Sequence, residues 1–109
     1  IHIKGPDEPA HDGNFIKKKD NIEAIDKFFF GNLLSRIKLE DFVICVTADH
    51  STPCNLKAHS ADPVPFLVCG GKVLSDGSTE FGERACAKGS LGKLLGREIM
   101  GLLAKLARE

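Results

Sequence analysis

The sequence lacks a net charge, a long apolar run and a close pair of cysteines. Its 109 residues carry 15 Lys and Arg against 15 Asp and Glu. A neutral chain has no overall field that would attract nucleic acid or anionic lipid, so we expect neither a nucleic acid nor a membrane as a partner. No apolar stretch approaches the roughly 20 residues that a membrane-spanning helix requires. None of the four cysteines forms a C-x-x-C pair, which argues against a zinc ribbon.

A secretory leader and an initiator methionine are also missing from the start of the chain. The sequence opens with Ile1, His2 and Ile3, without the apolar segment of a signal peptide. Because disulfides belong mainly to secreted proteins, we expect a cytoplasmic protein with free thiols. The missing methionine and the strand-like first residues indicate a piece of a longer protein.

The remaining composition is that of a globular domain, with 42% hydrophobic and 28% charged residues. Residues 42–47 form a short apolar segment that is rich in β-branched side chains. This pattern is typical of a strand covered on both faces, as in a parallel sheet flanked by helices. Residues 1–4 and 64–69 are further strand candidates, although Pro65 restricts the start of the latter.

Helical periodicity appears in two segments of the chain. Apolar residues spaced by three and four predict a helix over about residues 14–37, capped by Asp12 or Asn14, with a kink or an early end at Gly31. A second apolar stripe predicts a helix over about residues 96–108. Pro6 and Pro9 favour a loop over residues 5–13. Strands alternating with helices predict an α/β layer architecture.

Acidic and imidazole side chains gather in the loops beside the predicted strands. They are Asp7, His11, Asp49, His50 and His59. Ligands of open α/β sheets bind beyond the carboxyl ends of the strands, where we expect these groups to meet. Carboxylate and imidazole are the ligands of Zn, Mn or Co. Two such ions would suit phosphoryl transfer.

Each of these groups also has an ordinary structural explanation. Asp7 or Asp49 alone is equally compatible with a helix cap or a turn. Ser51 and Thr52 follow His50, but hydroxyls in that position are typical turn formers, and we do not interpret them as nucleophiles.

Four segments together resemble one known family. They are G-P-D-E-P-A-H-D-G (5–13), V-T-A-D-H-S-T-P-C (46–54), H-S-A-D-P-V-P-F-L-V (59–68) and F-G-E-R-A-C-A-K-G-S-L-G (81–92). They are similar to the C-terminal part of the archaeal-type cofactor-independent (2,3-bisphosphoglycerate-independent) phosphoglycerate mutases of the alkaline phosphatase superfamily. The resemblance implies an α/β fold, part of a three-layer sandwich with a mainly parallel sheet. Residues 1–109 would then be the C-terminal portion of the metal-binding phosphatase-like domain.

The resemblance also implies a reaction and a role for each matching residue. The family interconverts 3-phosphoglycerate and 2-phosphoglycerate, a step of glycolysis and gluconeogenesis, through a phospho-enzyme. Asp7, His11 and His59 would hold one divalent ion, and Asp49 and His50 would help to hold a second, with Mn, Zn, Co or Mg as the metal. Arg84 and Lys88 match the family-like tail segment, where they are candidates for binding the substrate.

The segment that carries the family's nucleophilic Ser or Thr has no counterpart in this sequence. We therefore expect a phosphoglycerate mutase as the parent enzyme and an inactive chain in isolation, with phosphoglycerate and the remainder of the polypeptide as its partners. Two other functions stay open at this point. One is a metal-dependent phosphatase or another phosphomutase of the same superfamily, and the other is a non-catalytic metal-binding module.

Overall fold

Five short α-helices and two strands make up most of the regular structure in the computed structural model, which describes residues 1–109. The chain divides into two compact units. The first comprises residues 1–37 and 50–62, and the second comprises residues 38–49 and 63–109. The elements are α1 (Asp7–His11), α2 (Phe15–Ala24), a π-helical segment (Ile25–Phe30), α3 (Gly31–Leu34), a 3₁₀ turn (Leu39–Asp41), β1 (Ile44–Thr47), β2 (Phe66–Cys69), α4 (Glu83–Cys86) and α5 (Gly96–Arg108).

The first unit begins with a helix where a loop was predicted. Residues 7–11 form α1, although Pro6 precedes the helix and Pro9 lies within it. Proline is compatible with the first turn of a helix because the N–H groups there have no partner within the helix. Prolines so close together therefore mark a helix start at this point, and the predicted loop was wrong.

The long predicted helix of the first unit is confirmed, with an internal irregularity. Asn14 caps α2 by accepting a hydrogen bond from the backbone N–H of Lys17 at 3.0 Å. The backbone then passes through the π-helical segment and returns to α-helix at Gly31. Gly31 itself has ordinary α-helical angles, with φ −57° and ψ −44°, so the irregularity lies before the glycine, and the helix ends at Leu34.

The second unit is built on an antiparallel pair of strands. β1 pairs with β2 in the register Ile44 with Cys69 and Thr47 with Phe66. At one end, the N–H of Gly71 donates to the carbonyl of Leu39 at 3.0 Å. At the other end, the Thr47 hydroxyl donates to the Pro65 carbonyl at 2.9 Å. These bonds tie both ends of the strand pair to the adjoining loops.

The α/β class is therefore confirmed, but a mainly parallel, three-layer sandwich is not. Residues 1–4 are irregular and add no strand. A parallel pair needs a crossover connection, usually a helix, and residues 48–65 between β1 and β2 contain no helix. The unbroken apolar sequence of β1 indicated coverage on both faces, but coverage does not determine the direction of the partner strand.

The predicted C-terminal helix is confirmed as α5, residues 96–108. Its first turn is closed by Glu98, whose carboxylate accepts a hydrogen bond from the backbone N–H of Leu95 at 2.6 Å. Its apolar stripe is half-buried, whereas Met100 is exposed. No helix in the structure combines the length and the hydropathy needed to cross a membrane.

The four cysteines are unpaired. Cys45 lies in β1 and Cys69 lies in β2, and the register places them on opposite faces of the sheet. Burial raises the pKa of both thiols. These two side chains therefore act as small apolar groups.

Gly70 is predicted to be essential for the stability of the strand pair. Its φ is +89°, and a Cβ there would lie 2.7 Å from the Leu39 carbonyl oxygen and still closer to that of Phe42. Gly70→Ala should lower the free energy of unfolding by about 2 kcal/mol or more, measured by denaturant titration. Gly101→Ala is the matched control, since it lies inside α5 with open space around it. This control should stabilise slightly, and equal effects of the two variants would contradict the prediction.

Protonation of Asp76 should lower the free energy of unfolding in acid. Hydrogen bonds from the side chain of Ser78, and from the backbone N–H groups of Ser90 and Ser78, hold the pKa of Asp76 well below its ordinary value. The carboxylate therefore contributes stability that is present above the ordinary aspartate pKa and is lost as the pH falls through the lowered one. Asp76→Asn should destabilise at neutral pH, and the difference should vanish in strong acid. The exposed Asp20 provides the control Asp20→Asn, and the prediction fails if both variants unfold alike in denaturant titrations.

Candidate metal centre

One carboxylate and two imidazoles of the first unit converge on a single point. The ligand atoms of Asp7, His50 and His59 all lie within 4.8 Å of one another. Ligand atoms bound at about 2.0–2.2 Å to a shared ion lie no more than about 4.4 Å apart. These three groups are therefore close enough to serve a common metal centre.

Helix α1 places two of the predicted ligands side by side. Asp7 is its first residue and His11 its last, so the two side chains are four residues apart on one face. Nε2 of His11 lies 3.3 Å from Oδ1 of Asp7. The D-x-x-x-H spacing thus brings an imidazole to the carboxylate within a single helical turn.

A one-residue β-bridge brings the other two histidines together. Ser51 and Ser60 pair antiparallel, and the Ser60 N–H donates to the Ser51 carbonyl at 3.0 Å. Side chains alternate along extended backbone, so His50 and His59 extend from the same side of this bridge. Their rings stack with centroids 3.6 Å apart.

His59 completes the group next to α1. Its Nε2 lies 3.6 Å from Oδ1 of Asp7, and its ring centroid lies 5.0 Å from that of His11. The side chain of His59 is 52% exposed, compared with 28% for Asp7. The carboxylate therefore lies deeper than the imidazoles of His11, which is 40% exposed, and His59, and the cluster is open on the side of these two rings.

Thr52 is the most buried polar residue of the cluster, with 5% of its surface exposed. Its hydroxyl donates to Oδ1 of Asp7 at 2.9 Å and lies 3.1 Å from Nδ1 of His50. The hydrogen bond from Thr52 is the main reason that the pKa of Asp7 is below its ordinary value. Partial burial opposes this shift, while positive charge on the neighbouring imidazoles adds to it. Asp7 is therefore a carboxylate, not a carboxylic acid, at neutral pH.

The donor set fits a divalent cation on chemical grounds. Nδ1 of His11 lies 3.3 Å from the carbonyl oxygen of Lys57, which can only accept, so this nitrogen carries the proton. In the neutral imidazole, Nε2 then presents its lone pair toward an anionic oxygen of Asp7 3.3 Å away. A cation between the lone pair of His11 and the anionic oxygen of Asp7 would stabilise this contact. Mixed oxygen and nitrogen ligands suit Zn, Mn or Co.

The structure brings together four of the five predicted ligands: Asp7, His11, His50 and His59. His50, which was expected to pair with Asp49, lies with Asp7 and His59. Asp49 is exposed in the second unit, two residues after the end of β1. The division of the five ligands between two ions stays a prediction.

The two predicted substrate-binding residues belong to the second unit. Arg84 lies in α4, Lys88 lies in the turn after it, and both side chains are exposed. Their role in binding substrate stays a prediction.

Sequence reasoning missed two residues that hold the cluster. Thr52 was interpreted as a turn former, although its position two residues after His50 on extended backbone places both side chains on one side. This spacing could have indicated a contact with the imidazole. Lys57 acts through its backbone carbonyl, and its φ of 52° is in the left-handed region. No feature of a lysine in the sequence signals that conformation.

Comparison with known proteins identifies the superfamily of the chain. Residues 1–106 match the Metalloenzyme superfamily, and the chain belongs to that superfamily. Its curated relatives include 2,3-bisphosphoglycerate-independent phosphoglycerate mutases. The protein of Thermococcus kodakarensis is 43% identical over 106 residues, and that of Methanoculleus marisnigri is 45% identical over 106 residues. Each match covers 97% of this chain but only 26% and 25%, respectively, of the relative.

The fold also matches a solved structure of a Pyrococcus horikoshii protein. The TM-score is 0.94 at 41% sequence identity, and the match covers 98% of this chain and 32% of that one. The chain thus spans about a quarter of the length of the curated relatives and about a third of this structure.

Proposed function

We propose that residues 1–109 form the C-terminal, metal-binding portion of a 2,3-bisphosphoglycerate-independent phosphoglycerate mutase. The whole enzyme would interconvert 3-phosphoglycerate and 2-phosphoglycerate. The convergence of Asp7, His50 and His59 within 4.8 Å carries the proposal. It occurs in a chain that is 43% identical to a protein named as such a mutase.

The chain's part in this reaction is to bind and orient two divalent ions, Mn, Zn, Co or Mg. Asp7, His11 and His59 are assigned to one ion, and Asp49 and His50 to the other. Bound ions would polarise the phosphate oxygens and neutralise charge that develops during transfer. The ionised Asp7 contributes negative charge, and the imidazoles contribute directional nitrogen ligands.

The nucleophile of the proposed reaction belongs to a part of the enzyme outside these residues. A serine or threonine there would accept the phosphoryl group as a phospho-enzyme and return it to the other hydroxyl of glycerate. Arg84 and Lys88 are assigned to the phosphate or carboxylate of the substrate, where the guanidinium of Arg84 offers two parallel hydrogen bonds. The partners of this chain are thus phosphoglycerate and the remainder of the polypeptide.

Metal binding by this chain is the first test of the proposal. Asp7→Ala and His59→Ala should each weaken Mn²⁺ or Zn²⁺ binding by more than about 100-fold. Removing a residue that only hydrogen-bonds a metal ligand typically lowers metal affinity by about 10–100-fold, and removing the ligand itself should cost more. Isothermal titration calorimetry of the purified chain measures this affinity. Asp20→Ala and His2→Ala are matched controls, since both residues are exposed and belong to the same unit. Unchanged affinity in the first pair would show that the cluster does not bind metal.

A chimera tests the catalytic part of the proposal. In it, this chain replaces the matching residues of the Thermococcus kodakarensis relative. The chimera should convert 3-phosphoglycerate to 2-phosphoglycerate, measured by coupled assay with Mn²⁺. Asp49→Ala in the chimera should reduce the rate by more than about 100-fold, whereas His2→Ala should leave it unchanged.

Two outcomes of the chimera experiment would contradict the proposal. A folded, metal-loaded chimera that produces no 2-phosphoglycerate would show that this chain does not support the mutase reaction. Release of glycerate and inorganic phosphate instead would identify a phosphatase. The chain by itself, mixed with 3-phosphoglycerate and Mn²⁺, should form no product because it supplies no nucleophile.

A further inference from the structure

We propose that Thr52 is a positioning residue of the metal centre, whose hydroxyl selects the imidazole tautomer that His50 presents to a cation. This inference rests on the proposed function, since it deepens the account of the same site. It assigns to Thr52 a role that differs from both a turn former and a nucleophile.

The inference starts from the number of hydrogen bonds that the Thr52 hydroxyl can make. A threonine hydroxyl has one proton and two lone pairs. The Asp7 carboxylate, 2.9 Å away, can only accept, so the proton of Thr52 is committed to Asp7. Toward Nδ1 of His50, 3.1 Å away, the hydroxyl oxygen of Thr52 can therefore only accept a hydrogen bond. Only a protonated Nδ1 can complete this contact as a hydrogen bond.

The backbone that carries the Thr52 hydroxyl is fixed by two contacts. The ammonium group of Lys18, from α2, donates to the carbonyl oxygen of Thr52 at 2.9 Å. The neighbouring bridge between Ser51 and Ser60 fixes the same segment from the other side. With 5% of Thr52 exposed, water is excluded from most of its surface as an alternative partner. The hydroxyl is therefore held between Asp7 and His50.

The consequence for His50 concerns its second nitrogen. When Nδ1 carries the proton of the neutral imidazole, the lone pair is on Nε2, which becomes the nitrogen able to ligate. Metal-binding histidines typically donate their other ring N–H to a fixed acceptor, which sets the tautomer and the ring orientation. Thr52 supplies that acceptor for His50 while it orients the carboxylate of Asp7.

His11 is held according to the same rule by a different group. Its Nδ1 lies 3.3 Å from the carbonyl oxygen of Lys57. Lys57 adopts a φ of 52°, a conformation that costs a non-glycine residue free energy. Two imidazoles of one cluster thus both direct Nδ1 to an acceptor of this chain. The repetition is expected if both Nε2 atoms act as metal ligands.

The tautomer of His50 can be measured without any metal. Long-range ¹H–¹⁵N spectra of the metal-free chain, labelled at histidine and recorded above the ordinary imidazole pKa, distinguish protonated Nδ1 from protonated Nε2. The unmodified chain should show His50 with the proton on Nδ1. Thr52→Val, which keeps the shape but removes the hydroxyl, should shift His50 to the Nε2–H form, and Thr52→Ser should retain Nδ1–H.

Metal titration of the same three proteins supplies the second readout. Thr52→Val should bind Zn²⁺ about 10–100-fold more weakly than the unmodified chain, and Thr52→Ser should restore most of the affinity. Backbone amide spectra verify that each variant is folded. Should Thr52→Val fail to fold, the tautomer in the unmodified chain and in Thr52→Ser decides the matter.

The outcomes separate this inference from the function on which it rests. An Nε2–H tautomer in the unmodified chain, or a tautomer unchanged by Thr52→Val, overturns the role of Thr52 even if Zn²⁺ binds. Absence of Zn²⁺ binding by a folded, unmodified chain overturns the proposed metal centre instead. Loss of affinity in Thr52→Val without a change of tautomer would reduce Thr52 to a packing residue and would also overturn the inference.

Discussion

The carboxylate of Asp7 is the charge on which the arrangement of the first unit depends. Thr52 donates to it from a buried position, and three imidazoles surround it. An anion in partly buried surroundings is costly unless hydrogen bonds and positive charge compensate. The hydroxyl provides one such compensation, and a cation between the carboxylate and the imidazoles would provide the other. The hydroxyl and the imidazoles accordingly converge on this one carboxylate.

Apolar burial is limited elsewhere in the chain. Ala10 is the buried hydrophobic residue of the core, and large side chains such as Phe15 and Leu74 are exposed. The local geometry therefore depends on short-range backbone devices. These are the helical turn of α1, the bridge between Ser51 and Ser60, and the glycine turn that closes the strand pair. Each brings together groups that are close in sequence or joined by a single loop.

Prediction from the sequence succeeded where the signal was periodic. The apolar stripe of α5 and the helix that begins at Phe15 follow from spacing alone, because one face of a helix recurs every three to four residues. Prediction failed at α1, where prolines were interpreted as breakers without regard to their position in the first turn. It could not determine strand direction, because an apolar run records burial and contains no information about its partner.

The residue types of the candidate site, one carboxylate with several imidazoles, were determined by the sequence, and their chemistry already indicated a metal. Tertiary structure decided which of them meet: His50 joins Asp7 and His59 because a bridge between two serines aligns the segments that carry them. It also decided the contacts that Thr52 and Lys57 make with the cluster. The former depends on burial and the latter on a left-handed backbone. Contacts between distant segments depend on the path of the whole chain, which local composition and spacing do not record.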